Sequence, residues 1–228
     1  MARSALVTGG SSGIGLAIAR MLRDEGFELT IAARTAEKLE AAASDLAALA
    51  VAANVGREED CERMVAAHAD RYGGLDVLVN SAGVGIGGNV AELSAKQWDL
   101  QLGVNLRGLF LVTRAAIPLL RESHGLVVNV ASLAGTIAAP GLAAYGAAKA
   151  GVISLTRSLN AELEAEGIRV TAICPGFVDT PMAAWTAMAS EEMIQPEDCA
   201  EIVRALLRLS PAARVPQVVI ERLGSSGF

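Results

Sequence analysis

The stretch Ser4-Ala5-Leu6-Val7-Thr8-Gly9-Gly10-Ser11-Ser12-Gly13-Ile14-Gly15 decides the reading of this chain. Its first five residues form a short apolar run of the kind that makes a strand buried on both faces. Glycines follow at once, and then a helical pattern over Gly13–Glu25, with Gly26 placed to end it in a left-handed cap. Outward from this unit the same alternation repeats. Strands are expected at Glu28–Ala33, Leu49–Ala53, Leu75–Val79, Gly125–Ala131, Ile168–Ile173 and Gln217–Ile220. Helices are expected from Thr35 to about Ala48, over Arg57–Tyr72, from Ser94 to about Arg121, over Ala143–Glu166 and near Pro196–Leu209. Strands that alternate with helices need crossover connections. The expectation is therefore an α/β fold, a three-layer doubly wound parallel sheet of about seven strands, with residues 1–228 as one domain.

Composition sets the outer limits. The chain has 228 residues, 52% apolar and 19% charged, enough for one full core and incompatible with a disordered polymer. A formal charge of −6 and few aromatic residues argue against nucleic acid or an anionic membrane surface as partner. Three scattered cysteines do not make a disulfide framework, and no export signal opens the chain, so a cytoplasmic protein is expected. Ser123–Ala148 lacks Asp, Glu, Lys and Arg, but its eight alanines, four glycines and Pro140 suit a strand, loop and helix start better than a membrane span. His68 and His124 lie far apart and the cysteines lack ligand spacing, so no metal site is expected.

In such sheets ligands bind beyond the carboxyl ends of the strands. Glycines after the first strand permit close backbone approach, and the unpaired amides opening the next helix attract a pyrophosphate. The plainer alternative is a tight turn that only joins strand to helix. The spacing here is G-x-x-x-G-x-G over Gly9, Gly13 and Gly15, with Ser11, Ser12 and Ile14 between them. At the end of the second strand a carboxylate would bind the ribose hydroxyls of NAD, whereas an arginine accepts the 2′-phosphate of NADP. The chain has Ala33-Arg34 there. That favours NADP(H) over NAD(H), unless Arg34 is merely a solvated loop cation.

Tyr145 and Lys149 stand four apart at the start of a helix and so share a face, with only Gly and Ala between them. A tyrosine titrates near pH 10 and becomes a usable base only if a neighbouring cation stabilises its anion. With Lys149 beside it, Tyr145 would exchange a proton with a carbonyl or alcohol oxygen.

Together Thr8–Gly15, Asn80-Ser81-Ala82-Gly83, Ser132, the Tyr145/Lys149 pair and Pro175-Gly176 resemble the short-chain dehydrogenases/reductases, in order and spacing, from residue 4 to about 181. The resemblance implies strand order 3-2-1-4-5-6-7 and NAD(P)(H) as hydride carrier. It also implies a homodimer or homotetramer packed through the long helices after the fourth and fifth strands. Carried over residue by residue, Tyr145 is the general acid/base and Lys149 lowers its pKa and binds the nicotinamide ribose. Ser132 orients the substrate oxygen, and Asn105 holds a water that links Lys149 to solvent. Asn80, Ala82 and Gly83 would close over the adenosine side and brace the sheet. Pro175, Gly176, Val178 and Thr180 would meet the nicotinamide, and Asn54-Val55 the adenine.

Some positions depart from the family's usual pattern. Ser81 replaces the second asparagine of a common pair, Asn54 replaces an aspartate, and Ser12 stands where many NADP-dependent members carry a cation. Residues 181–195 are expected to form a short substrate lid, with Met182, Trp185, Met188 and Met193 facing a substrate with a hydrophobic body; a small helix packed on its own domain is the alternative. Arg107 and Arg114 are candidates for the basic docking surface that the family's acyl-carrier-protein reductases need. A cofactor-binding redox sensor without turnover is the competing class of function, separated from an enzyme by the presence of Ser132, Tyr145 and Lys149.

Overall fold

A computed structural model describes residues 2–224. Seven parallel strands form one sheet in the order β3-β2-β1-β4-β5-β6-β7. They are β1 (Ser4–Thr8), β2 (Glu28–Ala33), β3 (Leu49–Ala52), β4 (Val77–Asn80), β5 (Leu126–Val130), β6 (Arg169–Pro175) and β7 (Gln217–Ile220). The helices between them are α1 (Gly13–Asp24), α2 (Ala36–Leu46), α3 (Glu58–Tyr72), α4 (Ala95–Leu102), α5 (Leu109–Ser123), α6 (Ala143–Glu162) and α7 (Pro196–Leu207). The chain order reverses between β1 and β4, so a crevice opens above their carboxyl ends.

Burial on both faces explains the unbroken apolar strands. Every residue of β1, β4 and β5 is buried. Helices α1, α2 and α7 cover one face, with Ile18, Leu22, Leu39 and Val203 in the core. Helices α3 and α5 and the end of α6 cover the other, with Met64, Val112, Leu120 and Leu159. Gly26 has φ +82°, as its place after α1 requires.

One polar chain crosses this second layer. Asn80 on β4 faces Asn129 on β5 in register. The Asn80 amide donates to Thr113 Oγ1 of α5 at 3.0 Å and to Asn129 Oδ1 at 2.9 Å. Asn129 in turn donates to Thr156 Oγ1 of α6 at 2.9 Å. Asn80 thus ties two strands to two helices.

Three expectations change in detail. The continuous helix from Ser94 to Arg121 contains a π-helical turn, Gly103–Gly108, between α4 and α5. It arises where the chain passes close to its neighbour: a Cβ on Gly108 would lie 2.7 Å from the Val55 carbonyl oxygen. The helix after Ala143 stops at Glu162, and a separate 3₁₀ turn, Glu164–Glu166, leads to left-handed Gly167. The final helical turn expected at Arg208–Leu209 lies outside α7. The Ala95–Ser123 run is apolar and long enough to cross a membrane. Here α5 packs on β4, β5 and α3 as a core helix. The uncharged Ser123–Ala148 stretch contains β5, a 3₁₀ turn and the first residues of α6.

Candidate active site

The glycine loop is shaped by what it touches. Gly9 has φ +68°, and a Cβ on it would lie 2.9 Å from Ala82 N. A Cβ on Gly15 would lie 2.4 Å from the Gly9 carbonyl oxygen, so the first turn of α1 presses directly on the loop. Gly13 has φ +52° and faces Thr180 across the crevice. Ser12 caps α1 in an extended conformation but offers its hydroxyl to no amide of the first turn. A helix N-terminus without a side-chain cap is a ready place for a phosphate. Thr8 Oγ1 accepts from Ser81 N at 3.1 Å and Ala82 N at 3.2 Å, which joins the glycine loop to the segment after β4.

From here a cleft runs to the start of α6. Its walls include Gly9, Ser12, Gly13 and Ile14 on one side, and Ala82, Gly83, Ser132, Tyr145 and Lys149 further along. Pro175, Gly176, Val178 and Thr180 complete it. Ser132 follows β5 with extended backbone; its Oγ accepts from Ala134 N at 3.2 Å. Ser132 Oγ donates to the Pro175 carbonyl at 3.5 Å, and its hydroxyl is close enough to the Tyr145 phenol to favour the phenolate. Lys149 Nζ lies 5.6 Å from the Tyr145 ring centroid and donates to the Val130 carbonyl at 2.6 Å.

The electrostatics differ from the simple expectation of a lowered tyrosine pKa. Burial pushes the Tyr145 phenol above its ordinary value, and the Ser132 hydroxyl opposes this only in part. Burial also lowers Lys149 to about 8, with the nearby Cys174 opposing. Burial thus moves both groups toward their uncharged forms, although Lys149 remains mainly an ammonium at neutral pH. The Val130 carbonyl takes one of the three ammonium protons, and the group lines the cleft, so further oxygen acceptors such as a ribose diol fit there.

Other expected residues lie apart from the cleft walls. Asn105 is buried in the π turn, with its side chain committed to Val84: Oδ1 accepts from Val84 N at 2.9 Å and Nδ2 donates to Val84 O at 2.8 Å. It still adjoins the site, since a Cβ on Gly83 would lie 3.0 Å from Asn105 Oδ1 and 3.9 Å from Lys149 Nζ. Asn80 faces the polar chain beneath the sheet and braces it, with no side-chain contact to the cleft. Ser11 and Gly15 belong to the loop but are not among the cleft walls. Arg34 is exposed at the end of β2 and makes no ion pair among the described residues. Ala53 N donates to Ala33 O at 3.0 Å, which sets Arg34 and Asn54 on adjacent strand ends. Asn54 Oδ1 accepts from Gly56 N at 3.0 Å, and Val55 is buried beside it.

Beyond Thr180 the expected lid holds two 3₁₀ turns, Pro181–Ala183 and Ser190–Glu192, and no α-helix. Its base is a parallel bridge between Val178 and Ile194. Met182 and Trp185 face the cleft, and Trp185 meets Phe177 edge to face at 6.0 Å. Met188 and Met193 are not among its walls. Arg107 and Arg114 both pair with Glu58, so neither is a free docking cation. Gly83, expected at the cofactor, begins a row of cleft-lining glycines of which sequence reasoning missed Gly85 and Gly87, and it also missed Gln101, whose Oε1 accepts from Ile86 N at 3.0 Å. The alternating Gly83-Val84-Gly85-Ile86-Gly87 pattern was the available signal.

A family model described as short chain dehydrogenase matches residues 3–190. The chain belongs to the short-chain dehydrogenase family. An uncharacterized oxidoreductase of Staphylococcus epidermidis is 36% identical over 219 residues, covering 95% of each chain. Among solved structures, an alcohol dehydrogenase from Thermococcus sibiricus complexed with 5-hydroxy-NADP superposes with TM-score 0.93 at 28% identity, covering 99% of both chains. The actinorhodin polyketide ketoreductase with NADPH gives 0.88 at 36% identity, with 96% of this chain and 95% of that one covered. A 3-ketoacyl-(acyl-carrier-protein) reductase of Brucella melitensis complexed with NADH gives 0.90 at 31%, with 96% of each covered.

Proposed function

We propose that this short-chain dehydrogenase is an oxidoreductase that uses NADP(H) in preference to NAD(H) and acts on a ketone or secondary alcohol with a hydrophobic body. The observation that carries the reading is the convergence of Ser132, Tyr145 and Lys149 in the cleft that begins at the glycine loop. The nicotinamide supplies or accepts the hydride when bound. The chain's own residues handle the proton and the orientation. Ser132 donates a hydrogen bond to the substrate oxygen, and Tyr145 gives that oxygen a proton in reduction or removes it in oxidation. A phenol held protonated by burial suits the donor role in carbonyl reduction.

Arg34 and the capless start of α1 would hold the 2′-phosphate and pyrophosphate, with Asn54 beside the adenine. Lys149 is the only charged residue among the cleft walls, and Met182, Trp185, Phe177 and Leu142 give them an apolar lining. That lining argues for an uncharged substrate. Three free cysteines, all buried, agree with a reducing cytoplasm. Trp98, Leu100 and Phe110 are exposed on the α4–α5 run, which supports pairing of two copies through α5 and α6.

The test is a panel of ketones and alcohols followed by NADPH and NADH absorbance, with Tyr145→Phe in parallel. Turnover by the wild type and its loss in the variant is the expected result. Cofactor binding with no turnover of any member would instead make the protein a redox sensor.

A further inference from the structure

Arg34 follows β2, and two other strand ends flank it. The glycine loop after β1 lies on one side, and Asn54-Val55-Gly56 after β3 on the other. This arrangement limits where the base of a bound dinucleotide can lie. A phosphate on C2′ of the adenosine ribose adjoins C1′, the carbon that carries the base. With that phosphate on Arg34 and the pyrophosphate at the glycine loop, the base falls on the remaining flank, beside Asn54.

The hydrogen bonds of this flank leave donors free and no acceptor. Asn54 Oδ1 accepts from Gly56 N at 3.0 Å, and Asn54 O accepts from Arg57 N at 2.9 Å. Val55 O accepts from Cys61 Sγ at 3.3 Å, and Gly56 O accepts from Arg107 Nη1 at 3.2 Å. Every oxygen of residues 54–56 is thus engaged. Asn54 N donates to Asp60 Oδ2 at 2.9 Å. Asn54 Nδ2 and Val55 N remain, with no partner among the described residues.

The amide is oriented by the bond it accepts. A backbone N–H must meet its oxygen, so the nitrogen is the arm turned away from Gly56. The segment is also held from behind, since a Cβ on Gly108 would lie 2.7 Å from Val55 O and 2.9 Å from Val55 Cγ2.

Purines differ in what they offer to such a pair of donors. Adenine presents its 6-amino donor with one acceptor on either side. A 6-oxo purine presents two adjacent acceptors, O6 and N7. Opposite adenine, Nδ2 meets an amino group and gains no bond unless the amide gives up Gly56.

We propose that Asn54 is a specificity-determining residue for the cofactor's base. It withholds the acceptor that the 6-amino group of adenine needs, so a dinucleotide phosphate with a 6-oxo purine binds at least as tightly as NADPH. The position of the base rests on the NADP(H) reading given above; the hydrogen bonds of Asn54 do not.

The probes are NADPH and reduced nicotinamide hypoxanthine dinucleotide phosphate. The readout is Kd by calorimetry on the full-length protein without substrate, so turnover is not needed. Asn54→Asp keeps one oxygen for Gly56 N and offers the other to the amino group. Asp60 places a like charge beside it, so Asn54→Ala serves as the uncharged variant. Arg34→Ala reports on the phosphate.

The wild type is expected to bind the hypoxanthine dinucleotide as tightly as NADPH or more so. Asn54→Ala moves the Kd ratio toward NADPH by about fivefold, the worth of one neutral hydrogen bond. Asn54→Asp moves it by about tenfold or more, because a charged acceptor replaces a donor. Arg34→Ala weakens both dinucleotides alike. A wild type that binds NADPH the more tightly overturns the proposal, as does a ratio left unchanged in Asn54→Ala or in a folded Asn54→Asp protein. If Arg34→Ala changes neither Kd while the Asn54 variants move the ratio, the phosphate placement fails and the base specificity stands. If the wild type binds neither dinucleotide, the cofactor reading fails and the proposal with it.

Discussion

The Lys149 ammonium stands over the Tyr145 ring at 5.6 Å, yet its hydrogen bond goes the other way, 2.6 Å to the Val130 carbonyl. One helical turn brings the two residues to the same face, and the carboxyl end of β5 accepts the lysine's hydrogen bond. The pair is therefore held as two neighbours with separate partners. Buried in this way, the cation weakens the fold that it serves.

That conflict has a measurable sign. Lys149 titrates at 10.5 when unfolded and at about 8 in the folded chain. A lowered lysine pKa means that the unfolded state binds the proton more tightly, so stability is diminished below pH 8 and recovers as the pH rises toward 10.5. A shift of this size corresponds to up to roughly 3 kcal/mol, less whatever the Val130 bond returns. Lys149→Met should therefore be more stable than the wild type at pH 7 in urea, with the difference closing by pH 10.5, and should lose turnover. A variant less stable than wild type at pH 7 would show that the ammonium is better satisfied than its burial implies.

Tyr145→Phe removes one oxygen and leaves the ring in the cleft wall beside Gly85. Loss of the proton donor should lower kcat/KM by ~10²–10⁴-fold, the usual worth of a positioned acid or base. Folding should change little, because the phenol lines the cleft and braces no other element of the fold. Steady-state kinetics and a melting curve on the same sample check both. Ser132→Ala keeps the phenol and should lose activity through orientation, with Tyr145 free to rise further in pKa.

The parts of the site that sequence revealed are the local ones. Thr8–Gly15 is a continuous loop, and Tyr145 and Lys149 are one turn apart, so spacing alone places them. The seven-strand order came with the family resemblance. The clamp from Asn105 to Val84 joins residues 21 apart, and nothing near Asn105 announces a π turn. Gln101 looked like an ordinary helix residue because its partner, Ile86, lies in another segment. The direction of the Tyr145 shift was also hidden: it depends on burial, which a helical spacing does not state. Asn80 shows the same limit from the other side, since its motif was visible but not the face to which its side chain turns.

Arg34 is exposed, and the described residues offer it no carboxylate partner. Its guanidinium is free to take a bidentate phosphate contact. Arg34→Ala should lower kcat/KM for NADPH by ~10-fold or more while leaving NADH nearly unchanged, since a charged hydrogen bond is worth about 1.5–3 kcal/mol. Parallel kinetics with both cofactors test this. An equal loss with the two would place Arg34 outside the 2′-phosphate site.

The polar chain beneath the sheet should behave as one unit. Thr113 and Thr156 sit on different helices and are joined only through Asn80 and Asn129. Thr113→Val strands one proton of the Asn80 amide, and Thr156→Val strands one of Asn129. Each variant should cost about 1–3 kcal/mol in denaturant unfolding, the penalty of a buried donor left unpaired. A pair of independent sites would add; linked amides can reorient once both hydroxyls are gone, so the double variant should cost less than the two together by ~0.5 kcal/mol or more. Neither threonine lines the cleft, so kcat/KM in the surviving folded fraction should stay within about twofold. Strict additivity would mean that the four side chains are separate pairs, and that the two helices are anchored to the sheet independently.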